Sequence, residues 1–207
     1  MRSGVIVAGG RSTRFGDADK AVAELAGTPM VRRVADRLAR VEGLGALVVN
    51  CREDQVAAIE RALEGIDLAL RFAQDPDPDE GPAAGIRTGL RAVKTDYAAV
   101  VACDMPFVDP GLLEFLFERA DGHDAAVARL DDGWFQTTQA VYRADAMADA
   151  CDRALARGEG RIVAAFDDLD LAEVTEEEVL QHAPLETFRN LNTREEFEDA
   201  ATAFADE

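Results

Sequence analysis

Short apolar runs alternate with stretches whose apolar residues recur every three or four positions, and this alternation fills the first 120 residues. Residues 3–8 form a strand-length apolar run, as expected of a strand buried on both faces. Thr28 then offers an N-cap with Pro29 at the first helical position, Val31, Val34, Leu38 and Val41 follow at helical spacing, and Gly43 ends the helix. Residues 46–50 predict a second strand, 53–64 a helix stopped at Gly65, and 69–73 a third strand. After an Asp/Pro-rich loop over 74–81, Gly81-Pro82 opens a helix with Ala83, Ile86, Leu90 and Val93 on one face. Residues 97–102 form the next strand, ending in Cys103-Asp104, and Asp109-Pro110 caps the helix after it.

Beyond residue 120 the pattern loosens. Residues 125–130 and 136–143 read as strands that pair antiparallel, 144–157 and 162–168 as helices, and 171–174 as a short strand. Thr193 and Glu196 form a capping box for a last helix whose apolar face is Phe197, Ala200, Ala201 and Phe204. Strand–helix alternation implies a mainly parallel sheet covered by helices on both faces. No repeat or linker divides the chain, so the expectation is one three-layer α/β domain over 1–207 with an antiparallel element in its C-terminal half.

Composition narrows the function classes. The 207 residues are 48% apolar, enough for a core without disulfides. Cys51, Cys103 and Cys151 are an odd, widely spaced set, which argues against a disulfide framework or a zinc site and suits a reducing compartment. Two histidines leave little material for a His-based metal site or a catalytic triad. The N-terminus lacks a secretory pattern and no apolar run approaches a membrane span, so a cytoplasmic location is expected.

The net charge is −19, from 41 acidic and 22 basic residues. Such a surface has no basic face to release counterions from phosphates, so nucleic acid and anionic membranes are not expected partners. An acid-rich, lysine-poor chain reads as halophilic, because molar salt screens its self-repulsion. Only Lys20 and Lys94 are lysines, so the placement of Lys20 near a glycine-rich loop calls for an explanation.

That loop is Ala8-Gly9-Gly10-Arg11-Ser12-Thr13-Arg14-Phe15-Gly16, directly after the first strand. Small residues let the backbone approach a phosphate chain, and successive N–H groups form an anion-binding concavity. Arg11, Arg14 and Lys20 gather three cations within ten residues of an acidic chain. A Walker loop is excluded because Gly-Lys-Ser/Thr is missing, and a dinucleotide fingerprint because no GxGxxG opens a helix.

With Asp19-Lys20 after it, the loop resembles the signature of the molybdenum-cofactor guanylyltransferases within the nucleotidyltransferase superfamily. The segment 25–30, Gly81-Pro82-Ala83-Ala84-Gly85-Ile86, Cys103-Asp104-Met105-Pro106-Phe107 and Asn190-Leu191-Asn192-Thr193 resemble further motifs of that family in order. The resemblance implies a Rossmann-like fold, with a nucleotide-binding half over 1–120 and an acceptor-side half over 121–207. It implies Mg²⁺, GTP as substrate and molybdopterin as acceptor, with passing contact with molybdoenzymes or cofactor-synthesis proteins. Val7, Ala8, Gly9 and Gly10 match nucleotide-contacting loop positions, Lys20 a phosphate-binding lysine, and Asn50 and Asp75 nucleotide-binding positions. Asp104 matches the metal ligand, and Arg14, Lys20 and Asp104 are the expected catalytic set. The chain departs from the pattern at Phe15, where Met is usual, and at Thr138-Gln139-Ala140, where many members carry His-Pro.

The residues themselves favour the same places. Asp104 follows an apolar strand, and ligands of open α/β sheets bind at strand carboxyl ends. Mg²⁺ prefers one or two carboxylates plus substrate phosphates. Asn192 and Asn190 offer amide oxygens to a metal or phosphate shell, or serve as loop chemistry before the Thr193 cap. The run 75–80 reads as a solvated acidic loop, Cys103 as a buried residue without a catalytic role, and Trp134 and Phe135 as acceptor-side or core residues. Cytidylylation of the molybdenum cofactor, guanylylation of adenosylcobinamide phosphate and non-catalytic nucleotide binding remain alternatives. A sugar-nucleotide pyrophosphorylase is disfavoured because Ala18-Asp19 precede Lys20 where those enzymes carry proline.

Overall fold

The computed structural model describes residues 1–10, 19–75 and 80–205. The first half contributes β1 (Arg2–Val7), β2 (Glu24–Leu25), β3 (Thr28–Pro29), α1 (Met30–Leu38), β4 (Leu44–Cys51), α2 (Val56–Ala62), β5 (Ala69–Gln74), α3 (Pro82–Arg91), β6 (Tyr97–Ala102) and α4 (Pro110–Arg119). The second contributes β7 (Ala125–Arg129), β8 (Gln139–Arg143), α5 (Ala144–Ala156), β9 (Leu171–Thr175), α6 (Glu176–Leu180) and α7 (Arg194–Ala205). Among the described residues a seven-stranded sheet has the order β5-β4-β1-β6-β8-β7-β9. β5, β4, β1 and β6 pair in parallel, β8 runs antiparallel to both β6 and β7, and β9 is parallel to β7. The three-layer α/β expectation holds, including its antiparallel element.

Burial on both faces explains why the inner strands read as unbroken apolar runs. Alternate residues of β1 serve opposite layers. Ile6 enters the core shared with Val34 and Leu38 of α1, Ile59 of α2 and Leu112 and Leu116 of α4. Val5 enters the core shared with Ile86 and Leu90 of α3 and Met147 and Cys151 of α5. Both layers also pull the strand ends level: Val7 pairs with Asn50 on one side and Ala102 on the other. Three strands therefore end together at one edge of the sheet, where each delivers a polar or backbone group.

A third, small core carries the C-terminal helix back to that edge. Leu25, Met30, Leu191, Ala200 and Phe204 are buried together, and the rings of Phe107 and Phe204 stack at 4.8 Å. The capping box at the start of α7 forms as expected: Thr193 Oγ1 accepts from the Glu196 N–H and Glu196 accepts from the Thr193 N–H. Glu196 also accepts from the Asn192 N–H at 2.6 Å, which pins the segment carrying Asn192.

Four local expectations are corrected. Thr28 does not cap α1; it pairs with Leu25 in a two-residue ladder, and Pro29 occupies the N-cap position without a side-chain bond. Ala26 and Gly27 form the intervening turn with φ of 48° and 75°, a pair of left-handed residues suited to a tight hairpin. Arg33 donates to the carbonyls of Leu25 and Ala26 and so secures the turn despite a non-glycine residue at positive φ. Residues Ile162–Asp168 form a 3-10 helix, with Ile162 and Ala165 buried at its three-residue spacing. The strand expected over 136–143 starts only at Gln139, because the Gln139 N–H turns back to the Gln136 carbonyl. Finally, 53–64 is a 3-10 turn, Glu53–Gln55, followed by the shorter α2.

Candidate active site

At the carboxyl edge of the parallel strands lies a cavity of ≈ 550 Å³. The end of β1 and the turn after it supply Val7, Ala8, Gly9 and Gly10, while Asn50 and Asp75 come from the ends of β4 and β5. Gly81, Pro82 and Gly85 of the α3 start form one wall. Ala102, Cys103 and Asp104 follow β6, Thr138 precedes β8, and Lys20 and Asn192 close the far side. The ≈ 550 Å³ volume is that of a ligand cleft for a small molecule.

Lys20, Asp104 and Asn192 meet at one point although 172 residues separate the first from the last. The Lys20 ammonium donates to Asp104 Oδ2 at 2.8 Å and to Asn192 Oδ1 at 3.3 Å. Lys20 starts a 3-10 turn, Lys20–Val22, whose N-cap Asp19 accepts from the Ala21 N–H. The Asp104 carbonyl accepts from the Leu191 N–H at 2.9 Å, so the loop after β6 and the loop before α7 are joined by their backbones. A part-buried, charge-assisted pair of this kind is screened less by water and salt than a surface ion pair.

At the other end sits a polar group without a partner. The Asn50 side chain is fully buried; its Nδ2 donates to the Ala73 carbonyl at 3.2 Å and to Asp75 Oδ1 at 2.9 Å. Its Oδ1 has no hydrogen-bond partner. An unmade buried acceptor bond is costly, and this one lies beneath the cavity surface, packed against Gly9 and Gly85. Gly85 allows this arrangement: a Cβ there would lie 2.8 Å from Asn50 Oδ1. Four residues on, a Cβ at Gly89 would lie 2.5 Å from Val5 Cγ1, so the two glycines let α3 settle against β1 and β4.

Each of Val7, Ala8, Gly9, Gly10, Lys20, Asn50, Asp75, Asp104 and Asn192 therefore lines one cavity. Arg14 falls in 11–18, outside the described residues. Asn190 is exposed and does not line the cavity, so Asn192 alone of the pair reaches it. Trp134 is 71% exposed, whereas Phe135 packs edge-on against Phe166 in the core beneath α3 and α5. Cys103 lines the cavity, but burial pushes its thiol up to about 12, with the Asp104 carboxylate adding to the shift, so it stays protonated and unreactive.

The donor set suits Mg²⁺. One carboxylate oxygen and one amide oxygen, both hard ligands, converge on the spot held by the Lys20 ammonium. Among the described residues no three His, Cys, Asp or Glu side chains converge, so a divalent ion there would complete its shell with substrate phosphates and water. Sequence reasoning passed over Gln55 and Arg52. Gln55 is buried and Arg52 partly so, and both bond the loop backbone from outside the cavity. Their one visible signal is a glutamine placed three residues after a helix-start position, and Gln55 Oε1 does accept from the Arg52 N–H.

A sheet of this topology, with Gly9-Gly10, a lysine and an aspartate at its carboxyl edge, has the ligand site of an open α/β sheet, and the family match makes the chain a protein of the nucleotidyltransferase class. Residues 4–174 match the MobA-like NTP transferase domain family. The chain is 52% identical over 199 residues to a probable molybdenum cofactor guanylyltransferase of Natronomonas pharaonis, covering 96% of this chain and 96% of that protein. It is 38% identical over 193 residues to a protein of the same description in Haloferax mediterranei, covering 93% and 89%. The solved structure of molybdopterin-guanine dinucleotide biosynthesis protein A from Archaeoglobus fulgidus superposes with a TM-score of 0.80, at 25% identity and 100% coverage of both chains. The chain belongs to the molybdenum cofactor guanylyltransferase family.

Proposed function

We propose that this protein transfers GMP from GTP to the terminal phosphate of molybdopterin-type cofactor, releasing pyrophosphate, and that the reaction requires Mg²⁺. The observation that carries the reading is the convergence of Lys20, Asp104 and Asn192 beside the glycine turn, with the Asp75 carboxylate, held by Asn50, at the other end of the cavity. One end suits a charged phosphate chain and the other a group rich in N–H or O–H donors.

Guanine fits the second end by chemistry. Its N1–H and N2–H₂ donors lie side by side and match the two oxygens of the Asp75 carboxylate, which the buried Asn50 amide orients. The corresponding edge of cytosine carries two acceptors beside one donor and matches them less well. The triphosphate then runs along Gly9 and Gly10 toward Lys20, and Arg14 adds positive charge to the leaving group.

In the reaction, a phosphate oxygen of the acceptor attacks the α-phosphorus of GTP in line. A P–O bond forms there, the bond from the α-phosphorus to the β-bridging oxygen breaks, and pyrophosphate leaves with that electron pair. An ionised phosphate monoester is nucleophilic near neutral pH and needs no general base. Asp104, with Asn192 beside it, would hold Mg²⁺, which supplies positive charge to the phosphate oxygens when bound. Lys20 is placed to exchange its contact with Asp104 for one with the phosphates and to offset charge growing on pyrophosphate. Catalysis is positioning plus electrostatics.

Cytoplasmic residence is part of this proposal, as is a halophilic setting with passing contact with molybdoenzymes or cofactor-synthesis proteins. Among the described residues no helix is long and apolar enough to cross a membrane. The test is pyrophosphate release from GTP with molybdopterin as acceptor in Mg²⁺ and molar KCl. Release with GTP and not CTP is the expected result, and no release with any nucleoside triphosphate would overturn the reading.

A further inference from the structure

We propose that Gln55 and Arg52 are positioning residues that set the shape of the triphosphate cradle, gripping the glycine turn from the side opposite the cavity. The proposal rests on the nucleotidyl-transfer reading and adds to it two residues outside the motifs that carry the resemblance.

The Gln55 side chain is 1% exposed and every polar atom in it is used. Its amide oxygen accepts from the Arg52 N–H at 2.9 Å. Its amide nitrogen donates to the Ala8 carbonyl at 3.1 Å and to Asp19 Oδ1 at 3.0 Å. The amide is oriented by chemistry, since the N–H needs an acceptor while the carbonyl and carboxylate need donors. Ala8 and Asp19 stand on the two sides of the glycine-rich segment, so one buried side chain ties its entry to its exit. Asp19 is also the cap of the turn that begins with Lys20. Gln55 thereby couples the loop entry to the residue bearing the phosphate-binding ammonium.

Arg52 completes the grip. Its Nη1 donates to the carbonyls of Gly9 at 3.2 Å and Gly10 at 2.9 Å, and its Nη2 lies 3.8 Å from Asp19 Oδ2. Gly9 and Gly10 line the cavity, whereas Arg52 does not. In a trans peptide the C=O and N–H point in opposite directions. Holding the Ala8 and Gly9 carbonyls outward therefore turns the N–H groups of Gly9 and Gly10 the other way, as an anion-binding concavity requires. Glycine has no conformational preference of its own that would keep such peptides aimed. The outside donors supply that aim.

The test is calorimetric binding of GTP and of guanosine, in Mg²⁺ and molar KCl, to the wild type, Gln55→Met and Gln55→Glu. Gln55→Met removes all three bonds. Gln55→Glu keeps an acceptor for the Arg52 N–H but sets a carboxylate against the Ala8 carbonyl and Asp19. The expected result is that the preference for GTP over guanosine falls about tenfold or more in both variants, the scale of losing hydrogen bonds that shape a charged ligand's site. Guanosine affinity should fall less than GTP affinity, because none of the lost bonds is made by Asn50 or Asp75. A cap-only role for Gln55 predicts instead that Gln55→Glu keeps the wild-type preference, and that result overturns the proposal. If Gln55→Met does not fold, Arg52→Met gives the same readout, because its side chain lies nearer the surface. A wild type with no preference for GTP over guanosine overturns the nucleotidyl-transfer reading along with the grip; a preference kept in every variant overturns the grip alone.

Discussion

The Lys20 ammonium and the Asp104 carboxylate form a 2.8 Å ion pair in the lining of the cavity, with the Lys20 side chain 9% and the Asp104 side chain 22% exposed. Each is thus paired before any substrate arrives, and binding of a phosphate chain must divide the pair between two partners. That division separates their roles.

Asp104→Asn keeps the shape and removes the charge that holds a divalent ion. The transition state depends on that ion more than the ground state does. Turnover should fall by roughly two to three powers of ten, equivalent to about 3–4 kcal/mol. GTP affinity should fall much less. Lys20→Ala should weaken binding and turnover together. Pyrophosphate release measured beside calorimetric GTP binding separates the two patterns, and near-wild-type turnover in Asp104→Asn removes Asp104 from the mechanism.

Base choice follows from the Asp75 carboxylate that the Asn50 amide holds in place. At equal concentration with Mg²⁺, GTP should raise the melting temperature more than CTP, ATP or UTP, since a ligand of the folded state stabilises it by an amount that grows with the logarithm of its affinity. Asn50→Asp should narrow the gap between GTP and the others, because the amide that holds Asp75 becomes a second carboxylate. Equal shifts by all four nucleotides contradict guanine recognition.

The cysteines set an alkaline limit. Burial, with help from Asp75, raises the Cys51 thiol from 9.0 to about 11; burial, with help from Asp104 and Asp152 respectively, raises Cys103 and Cys151 to about 12. A raised folded pKa means that the unfolded chain loses its thiol protons first. The stabilisation is complete below about pH 9 and is lost as pH rises from there through the folded values. Melting temperature should decline over pH 9–11, and replacing all three cysteines by alanine should flatten that slope. The native protein should also resist thiol alkylation at pH 8 and react fully when unfolded.

Charge predicts a salt response. A net charge of −19 repels itself, and KCl screens that repulsion. Melting temperature should climb as KCl rises from tens of millimolar to molar. A flat or falling curve contradicts the halophilic reading.

Much of this molecule was legible because its inner strands are sandwiched between two helical layers. Residues 46–50 and 97–102 read as strands since neither face needs a polar residue. Asn50 and Asp75 were legible through the family resemblance, and Asp104 also because ligands of open α/β sheets bind at the carboxyl ends of parallel strands. What escaped was set by tertiary contact. Thr28 carries the chemistry of a cap, yet the left-handed pair Ala26-Gly27 and the bonds from Arg33 recruit it into a hairpin. α6 is too short to show a period, although Thr175 and Glu178 form a capping box at its start. Gln55 sits among acids at a helix start, and nothing local reveals that it faces inward to Ala8 and Asp19.

The antiparallel strand β8 is zipped to β6 on one side and to β7 on the other. It thereby stitches the part of the chain that carries the glycine turn to the part that follows residue 120. Thr138, at its entrance, borders the same cavity as Val7 and Asp104, and the Ala102 N–H is bonded to its carbonyl. Among the described residues the two parts are joined by direct backbone pairing through β8 rather than by a loop alone. Any accommodation between the reacting groups falls to the loops at the sheet edge, while the distance between the two ends of the cleft is held by a continuous ladder of backbone hydrogen bonds.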